Sequence, residues 1–319
     1  MLKFALVGCG RIAQRYAEIF SRNLINNSKI ECVSDVVRSK AKALGDKLSV
    51  PFFLSYHEML EKHKSVNVVI ILTESGNHAN HVIDIAQYKK HIIVEKPMAL
   101  TLFDADRMID ACNLCGIKLF VVKQNRFNLP VQKLRETFNN GSFGKIVSGS
   151  VRVRWSRDQN YYDESPWRGT WGMDGGVFTN QASHHIDLLT WFLGTPVSIY
   201  AKSRTALVDI ECEDTGAAII TFSSGAIGII EATTAVRPID IEGSFSLLGE
   251  KGMVEIGGFA VNKLSHWNFS DQLLNNIDKT EFSENPPNVY GFGHIRYLNE
   301  VVRSIKNGKE KFIDGVEGR

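Results

Sequence analysis

No stretch of this chain approaches the about 18 consecutive apolar residues that a membrane-crossing helix requires, so no membrane span is expected. Basic runs are missing as well. With 37 Lys and Arg against 35 Asp and Glu, the net charge is +2, and nothing in its distribution calls for nucleic acid. Cysteine is scarce: Cys9, Cys32, Cys112, Cys115 and Cys212 are scattered, and only Cys112 and Cys115 have CxxC spacing. That pair lies in the apparent helix LFDADRMIDACNLC with no second pair of ligands, so no metal is expected and the thiols read as reduced and mostly buried. There is no internal repeat and no low-complexity tail. The opening MLKFALVGCG runs straight into a strand-and-turn pattern, so no cleavable targeting peptide is expected ahead of it, and the expected setting is cytoplasmic.

What is present is a globular composition, 44% hydrophobic and 23% charged over 319 residues, a length that suits two domains. Residues 3–7, KFALV, read as a short buried strand, and GCGRIA (8–13) then opens the helix IAQRYAEIFSRN. This is a G-x-G-x-x-A turn in its strand-turn-helix setting. Gly8 permits the turn, Gly10 lets a pyrophosphate approach the backbone, and Ala13 lets the helix pack on the sheet, with Arg11 and Ile12 at the helix start facing the phosphates. The next apolar run, KIECVSD, ends in Asp35, an acid placed to accept from ribose hydroxyls and to repel a 2′-phosphate. That favours NAD over NADP, although Arg38 close by is a residue that tolerates a phosphate. Strands at 66–72, at HIIVEKP and at 117–123 alternate with helices, which implies a parallel sheet covered on both faces. Ligands bind at the carboxyl ends of such strands, where Thr73, Glu95 and Lys96 fall, and Pro97 ends the ladder behind Lys96. His78 and His81 lie three apart at a helix start without a third ligand. His78 is expected to cap the helix or line the cofactor cleft, and His81 to be an ordinary helix residue.

After residue 123 the texture changes. A helix at PVQKLRETFNNG is followed by the long strand FGKIVSGSVRVRWSR. There Arg152 and Arg154 share one face and Val151, Val153 and Trp155 the other. The arginines read either as a solvated or intersubunit face or as a site for anionic groups. An aromatic and Gly-rich loop (161–176) leads to a helix expected to begin near Val177–Asn180, with Asn180 and His184 on one face and Leu188, Leu189, Trp191 and Phe192 toward a core. Successive strands over 196–264, with a hairpin at FSSGAIG, indicate a large antiparallel or mixed sheet, and FGHIRYLNEVVRSIKNG reads as a late helix.

In order and spacing, GCGRIA, Asp35, TESGNH (73–78), EKP (95–97), NRF (125–127) and GGVFTNQASHHID (175–187) resemble the Gfo/Idh/MocA oxidoreductase family over nearly the whole chain. The resemblance implies an α/β protein. An N-terminal Rossmann parallel sheet (1–123) would bind NAD, and a C-terminal α+β domain (124–319), built on a large mixed, mainly antiparallel sheet, would bind substrate and form a homodimer or homotetramer. It implies that Lys96 and His184 are catalytic. It also implies cofactor contacts from Gly8, Gly10, Arg11, Ile12, Asp35, Arg38, Thr73, Asn77, His78, Glu95, Lys96 and Gln124. Where many members carry an aspartate four residues before the histidine, this sequence has Asn180, which points to a hydrogen bond with a substrate hydroxyl rather than to a carboxylate–histidine relay. RVRWSRDQNYYDESPWRGTW and DGGVFTNQASHHIDLLTW further resemble the subgroup that oxidises C3 of UDP-N-acetylglucosaminuronate in bacterial surface-polysaccharide (lipopolysaccharide) pathways. That implies substrate contacts from Arg154, Arg157, Trp167 and Arg168, with Lys96, Asn180 and His184. Loop packing is the alternative for Trp167 and Trp171. Relatives continue beyond a motif like the final FIDGVEGR, so the chain is either naturally short there or a shortened product. The rival functions are a polyol, inositol or free-sugar dehydrogenase and a non-catalytic NAD-binding sensor.

Overall fold

The computed structural model describes residues 1–286, 288–308 and 313–319; Phe312 of the terminal FIDGVEGR lies outside them. Contacts divide the chain into two units, Met1–Val122 with Ile295–Arg319, and Lys123–His294. In the first unit β1 (Leu2–Val7), α1 (Arg11–Ser21), β2 (Ser28–Ser34), α2 (Arg38–Leu48), β3 (Phe52–Phe53), α3 (Tyr56–Lys62), β4 (Val68–Ile71), α4 (His78–Ala86), β5 (His91–Val94), α5 (Leu102–Leu114) and β6 (Leu119–Val121) alternate. The six strands form one parallel sheet in the order β3-β2-β1-β4-β5-β6. Parallel strands covered on both faces need apolar side chains at every position, and β4 supplies them: Val68, Val69, Ile70 and Ile71 are all fully buried. Local chemistry starts the helices. The Ser55 hydroxyl accepts from the Glu58 N–H at the head of α3, and the Thr101 hydroxyl accepts from the Asp104 N–H at the head of α5.

The second unit contains α6 (Leu129–Asn139), β7 (Ile146–Arg154), α7 (Gln159–Asp163), α8 (Ser183–Leu193), β8 (Pro196–Arg204), β9 (Thr215–Phe222), β10 (Ile227–Thr233), β11 (Glu242–Gly249), β12 (Gly252–Gly257) and β13 (Lys263–Phe269). Its seven strands lie in the order β13-β12-β11-β7-β10-β9-β8, with only β7 and β10 parallel, so the sheet is mixed and mainly antiparallel. One face packs on α8. Val151, Val153, Phe222, Phe245 and Leu247 join Leu188, Leu189 and Phe192 in a single apolar core. The FSSGAIG turn is the β9–β10 hairpin, with Gly225 at a φ of +83°. The sequence run 243–257 resolves into two strands, because Glu250 and Lys251 turn the chain between β11 and β12.

The chain rejoins the first unit at Ile295, through α9 (Gly293–Asn307) and the terminal turn α10 (Gly315–Gly318). There the Val121 N–H donates to the Ile313 carbonyl at 3.1 Å, and Phe120 and Asp314 form an antiparallel bridge along the outer edge of β6. A division at 123/124 drawn from the sequence gives these residues to the second domain. The amphipathic pattern of a helix says that it packs against a core but not which one.

Candidate cofactor and substrate sites

The glycine turn after β1 is tight. Gly8 has a φ of +95°, and a Cβ there would stand 2.8 Å from the backbone of Leu72, so only glycine fits between the ends of β1 and β4. Gly10 differs: a Cβ there would meet nothing within 4 Å, so its bareness keeps open the space ahead of α1. No side chain caps α1, whose first N–H groups are left for an anion. Arg11 is exposed and Ile12 half-buried at that terminus, and Ala13 is fully buried against the sheet.

Asp35, after β2, ties this loop down. Its Oδ2 accepts from the Cys9 N–H and its Oδ1 from the Val37 N–H, each at 2.8 Å. A carboxylate has about four acceptor sites, so two backbone donors leave capacity for ribose hydroxyls. Arg38 opens α2 with its guanidinium 5.8 Å from the Phe52 ring. Burial, reinforced by Asp35, pushes the Cys9 thiol up to about 12, which keeps it protonated and inert. In the strand order β2-β1-β4-β5 the carboxyl ends carry Asp35, Gly8, Thr73 and Lys96 in sequence. At about 4.8 Å per strand step this row is roughly 14 Å long, enough to run along an extended dinucleotide.

The segment bearing Lys96 is anchored on both sides. Glu95 is buried; its Oε1 accepts from the Tyr16 hydroxyl at 2.9 Å and its Oε2 from the Lys96 N–H at 3.1 Å. Burial and the neighbouring Glu95 hold the Tyr16 phenol well above its ordinary range, so it stays a donor. Beyond Lys96, which is half-buried, the Pro97 carbonyl lies 2.8 Å from His78 Nδ1, while His78 Nε2 lies 3.1 Å from the Thr73 carbonyl. His78 therefore staples the end of β4 to the end of β5. Burial lowers its pKa, and the two carbonyls oppose that shift. Thr73 Oγ1 pairs with His81 Nδ1 at 2.9 Å, and the Asn77 amide donates to Glu74 at 3.3 Å. Glu95 is thus a strut for Lys96, a role the bare EKP pattern does not announce.

In the second unit the expected helix start near Val177–Asn180 is instead a π turn, Val177–Gln181, and α8 begins at Ser183. The wide turn shows in the Ala182 N–H, which donates to the Val177 carbonyl five residues back, at 2.8 Å. Glu213 caps it: the Val177 N–H donates to its carbonyl and the Phe178 N–H to its Oε1. Gly176 is forced by this cap, since a Cβ would sit 2.0 Å from the Glu213 carboxylate. Asn180 is half-buried on this turn and its amide nitrogen donates to Asp174, while His184 is buried on the first turn of α8. His185 is fully buried against Trp155, and burial depresses its pKa to about 4, so it is neutral packing.

Asp187, one turn on, is buried and accepts from Arg126 Nε at 2.8 Å and Nη2 at 2.7 Å, and pairs with Lys123 at 3.0 Å. Burial pushes its pKa up, but the two cations more than offset that and hold it below the carboxylate range. The NRF and HHID motifs therefore meet as a buried ion cluster, with the Arg126 guanidinium 4.7 Å from the Trp191 ring. Gln124 is buried beside it, and its Oε1 has no hydrogen-bond partner among the described residues.

Of the arginines expected to hold anions, Arg157 and Arg168 share the Tyr161 ring, and Arg154 has other partners. Arg157 donates to Asp240 at 2.8 Å and lies 5.4 Å from the Tyr161 ring; Arg168 donates to Glu164 at 2.6 Å and lies 4.3 Å from the other side-chain partner it shares with Arg157, the same ring. Trp167 is half-buried beside Arg168, and Trp171 is 60% exposed. Arg154 points to the uncovered face of β7 and is bound to Glu231 at 2.6 and 2.8 Å and to Glu242 at 3.2 Å. Among the described residues no group of three or more His, Cys, Asp or Glu could hold a metal ion.

Two family descriptions match the chain: an oxidoreductase family NAD-binding Rossmann fold over residues 2–122, and a GFO/IDH/MocA C-terminal domain over residues 131–255. The chain is 30% identical to a myo-inositol 2-dehydrogenase of Thermotoga maritima, over all of this chain and 92% of that one. It is 24% identical to an NAD-dependent scyllo-inositol 2-dehydrogenase of Bacillus subtilis, over 99% of this chain and 90% of that one. Among solved structures it is similar to the WlbA dehydrogenase of Bordetella pertussis, crystallised with NADH and UDP-GlcNAcA. The TM-score is 0.94 and the identity 38%, over 99% of this chain and 91% of that one.

Proposed function

As the chain belongs to the Gfo/Idh/MocA oxidoreductases and carries their NAD-binding Rossmann domain, we propose that it is an NAD-dependent dehydrogenase of a UDP-N-acetylhexosaminuronate, oxidising the C3 hydroxyl. The observation that carries this reading is the near-full-length likeness, at 38% identity, to a dehydrogenase crystallised with NADH and UDP-GlcNAcA. NAD supplies the hydride acceptor; the chain binds, orients and moves the proton. We assign Gly8, Gly10, Arg11, Ile12, Asp35, Arg38, Thr73, Asn77, His78, Glu95, Lys96 and Gln124 to the cofactor. Glu95 and His78 serve it by fixing the backbone around Lys96. Lys96 stabilises negative charge on the reacting oxygen, and the His184 imidazole accepts the hydroxyl proton. Arg157, Trp167, Arg168 and Asn180 are assigned to the anionic sugar nucleotide. Arg154, engaged with two carboxylates on the opposite face of β7, is assigned to an interface between subunits.

That interface belongs to the same reading. On the uncovered face of the seven-stranded sheet Ile229, Ile219 and Tyr200 stand side by side across β10, β9 and β8, at 47%, 54% and 66% exposure. A contiguous apolar row rimmed by Arg154, Glu231 and Glu242 suits self-association as a homodimer or homotetramer. A cytoplasmic setting and a place in lipopolysaccharide synthesis are part of the proposal.

The test is the absorbance of reduced nicotinamide on mixing protein and NAD with UDP-GlcNAcA, with UDP-GlcNAc and with myo-inositol, each with and without a 2-oxo acid to reoxidise retained NADH. Turnover of the uronate alone is expected. Turnover of inositol alone would favour the second reading, which the 30% identity to an inositol dehydrogenase supports. NAD binding without turnover of any of them would favour a sensor. The variant Lys96→Ala should lower kcat roughly 10²–10³-fold, the cost of a lost donor to a developing oxyanion; near-normal turnover would remove Lys96 from the reaction.

A further inference from the structure

Asp174 is 2% exposed and lies six residues before Asn180. Its carboxylate joins two segments. Oδ2 accepts from the Gly169 N–H at 2.7 Å, next to Arg168, and Oδ1 accepts from the Asn180 amide nitrogen on the π turn. The backbone between them is built for this reach. The Asp174 N–H donates to the Thr170 carbonyl at 3.1 Å, and Gly175 takes a φ of +77°, where a Cβ would stand 2.7 Å from Thr179. A carboxylate only accepts hydrogen bonds, whereas an amide side chain has one donating and one accepting end. Of the two ways the Asn180 amide can be turned, only one therefore satisfies Asp174, and it directs Oδ1 away from the carboxylate.

We propose that Asp174 is a positioning residue that locks the Asn180 amide with its carbonyl oxygen toward the sugar, which makes position 180 an acceptor that selects a substrate hydroxyl or N-acetyl N–H. The inference rests on the assignment of Asn180 to substrate. The arrangement also keeps the negative charge one side chain removed from an anionic sugar, with a neutral amide between. Sequence reasoning passes over Asp174 because its only signal is an acid ahead of two glycines.

The test compares Asp174→Asn, Asn180→Asp and the double variant Asp174→Asn/Asn180→Asp in the full chain, reading Tm, KM and kcat on UDP-GlcNAcA, and Kd for UDP-GlcNAcA and UDP-GlcNAc in the presence of NAD. With amides at both positions either orientation of Asn180 finds a partner. Asp174→Asn should therefore raise KM about tenfold, the worth of one hydrogen bond of about 1.4 kcal/mol, with a smaller change in kcat. The double variant rebuilds an acid–amide pair in reverse, so it should recover Tm but not KM, and its loss of affinity, read as Kd, should be greater for the uronate than for the neutral sugar. Unchanged KM in Asp174→Asn, or recovery of KM together with Tm in the double variant, would overturn the inference. Additive Tm losses would overturn it as well, since they would show that the pair is not coupled. Should the unsubstituted protein oxidise inositol and no UDP-sugar, the proposed function falls, and the same KM comparison on inositol together with the Tm coupling decides the inference on its own.

Discussion

The two sheets of this molecule spend their side chains differently. In the parallel sheet β4 is buried at every position, because helices lie on both faces. In the mixed sheet β9 alternates buried and exposed, and the edge strand β8 is exposed throughout. An alternating strand with one bare face ordinarily carries polar residues outward, but β9 and β10 place Ile219, Ile227 and Ile229 there. The comparison teaches that burial within one chain accounts for the apolar residues of the first sheet's inner strands β4 and β5, but leaves Ile219, Ile227 and Ile229 of the second uncovered. The remainder is the signature of a surface meant to be covered by something else, and the proposed cover is a second copy.

Substitutions can break or sharpen that contrast. The largest effect is expected at Ile70, at the centre of the doubly covered sheet: Ile70→Ala should cost about 2–5 kcal/mol in urea unfolding, through lost burial and a residual cavity. A loss below 1 kcal/mol would mean that one face of the first sheet is less tightly packed than its burial indicates. Next comes the inner face of the mixed sheet, where His185 tests how dry it is. Its folded pKa of about 4 lies below the ordinary value of 6.5. As pH falls, the unfolded chain therefore takes up the proton first. The His185 contribution is complete above about 6.5, is lost between there and about 4, and levels off below, a span of about 3 kcal/mol. His78, His81 and His91, also shifted down by burial, act in the same direction and are present in both proteins compared. Replacing His185 by Gln should flatten the stability–pH slope over that interval, and an unaltered slope would show that water reaches this face. The smallest effect on chain stability is expected at Ile229. Ile229→Ala should change monomer stability by less than about 0.5 kcal/mol, whereas Ile229→Lys should lower the assembly mass read by light scattering. An unchanged mass would leave the bare face without its proposed partner.

Much of the first unit was legible because its signals are local. Apolar runs mark strands buried on two faces, and GCGRIA with Asp35 fixes a turn and an acid at known strand ends. Lys96 could be placed at a strand mouth for the same reason. Its supports could not, since Tyr16 reaches Glu95 from α1 and His78 reaches the Thr73 and Pro97 carbonyls from α4, contacts that no spacing in the sequence announces. In the second unit the strands and the hairpin at Gly225 were readable from alternation, but the π turn was not. Nothing in VFTNQ departs from helical composition; the wide turn depends on Glu213, more than thirty residues later, capping it through space. The pairing of Asp187 with Lys123 and Arg126 was equally invisible, because a charge pattern carries no address for its partner.

The rejoining of the chain at Ile295 sets a rule for anyone cutting the gene. A fragment ending at residue 122 would hold every strand of the parallel sheet, yet it would strand the Val121 amide that Ile313 satisfies, uncover the wall that Gly318 presses against, and lose fully buried Tyr297. The portable dinucleotide module is thus a discontinuous one, obtained by excising the middle of the sequence and splicing its flanks.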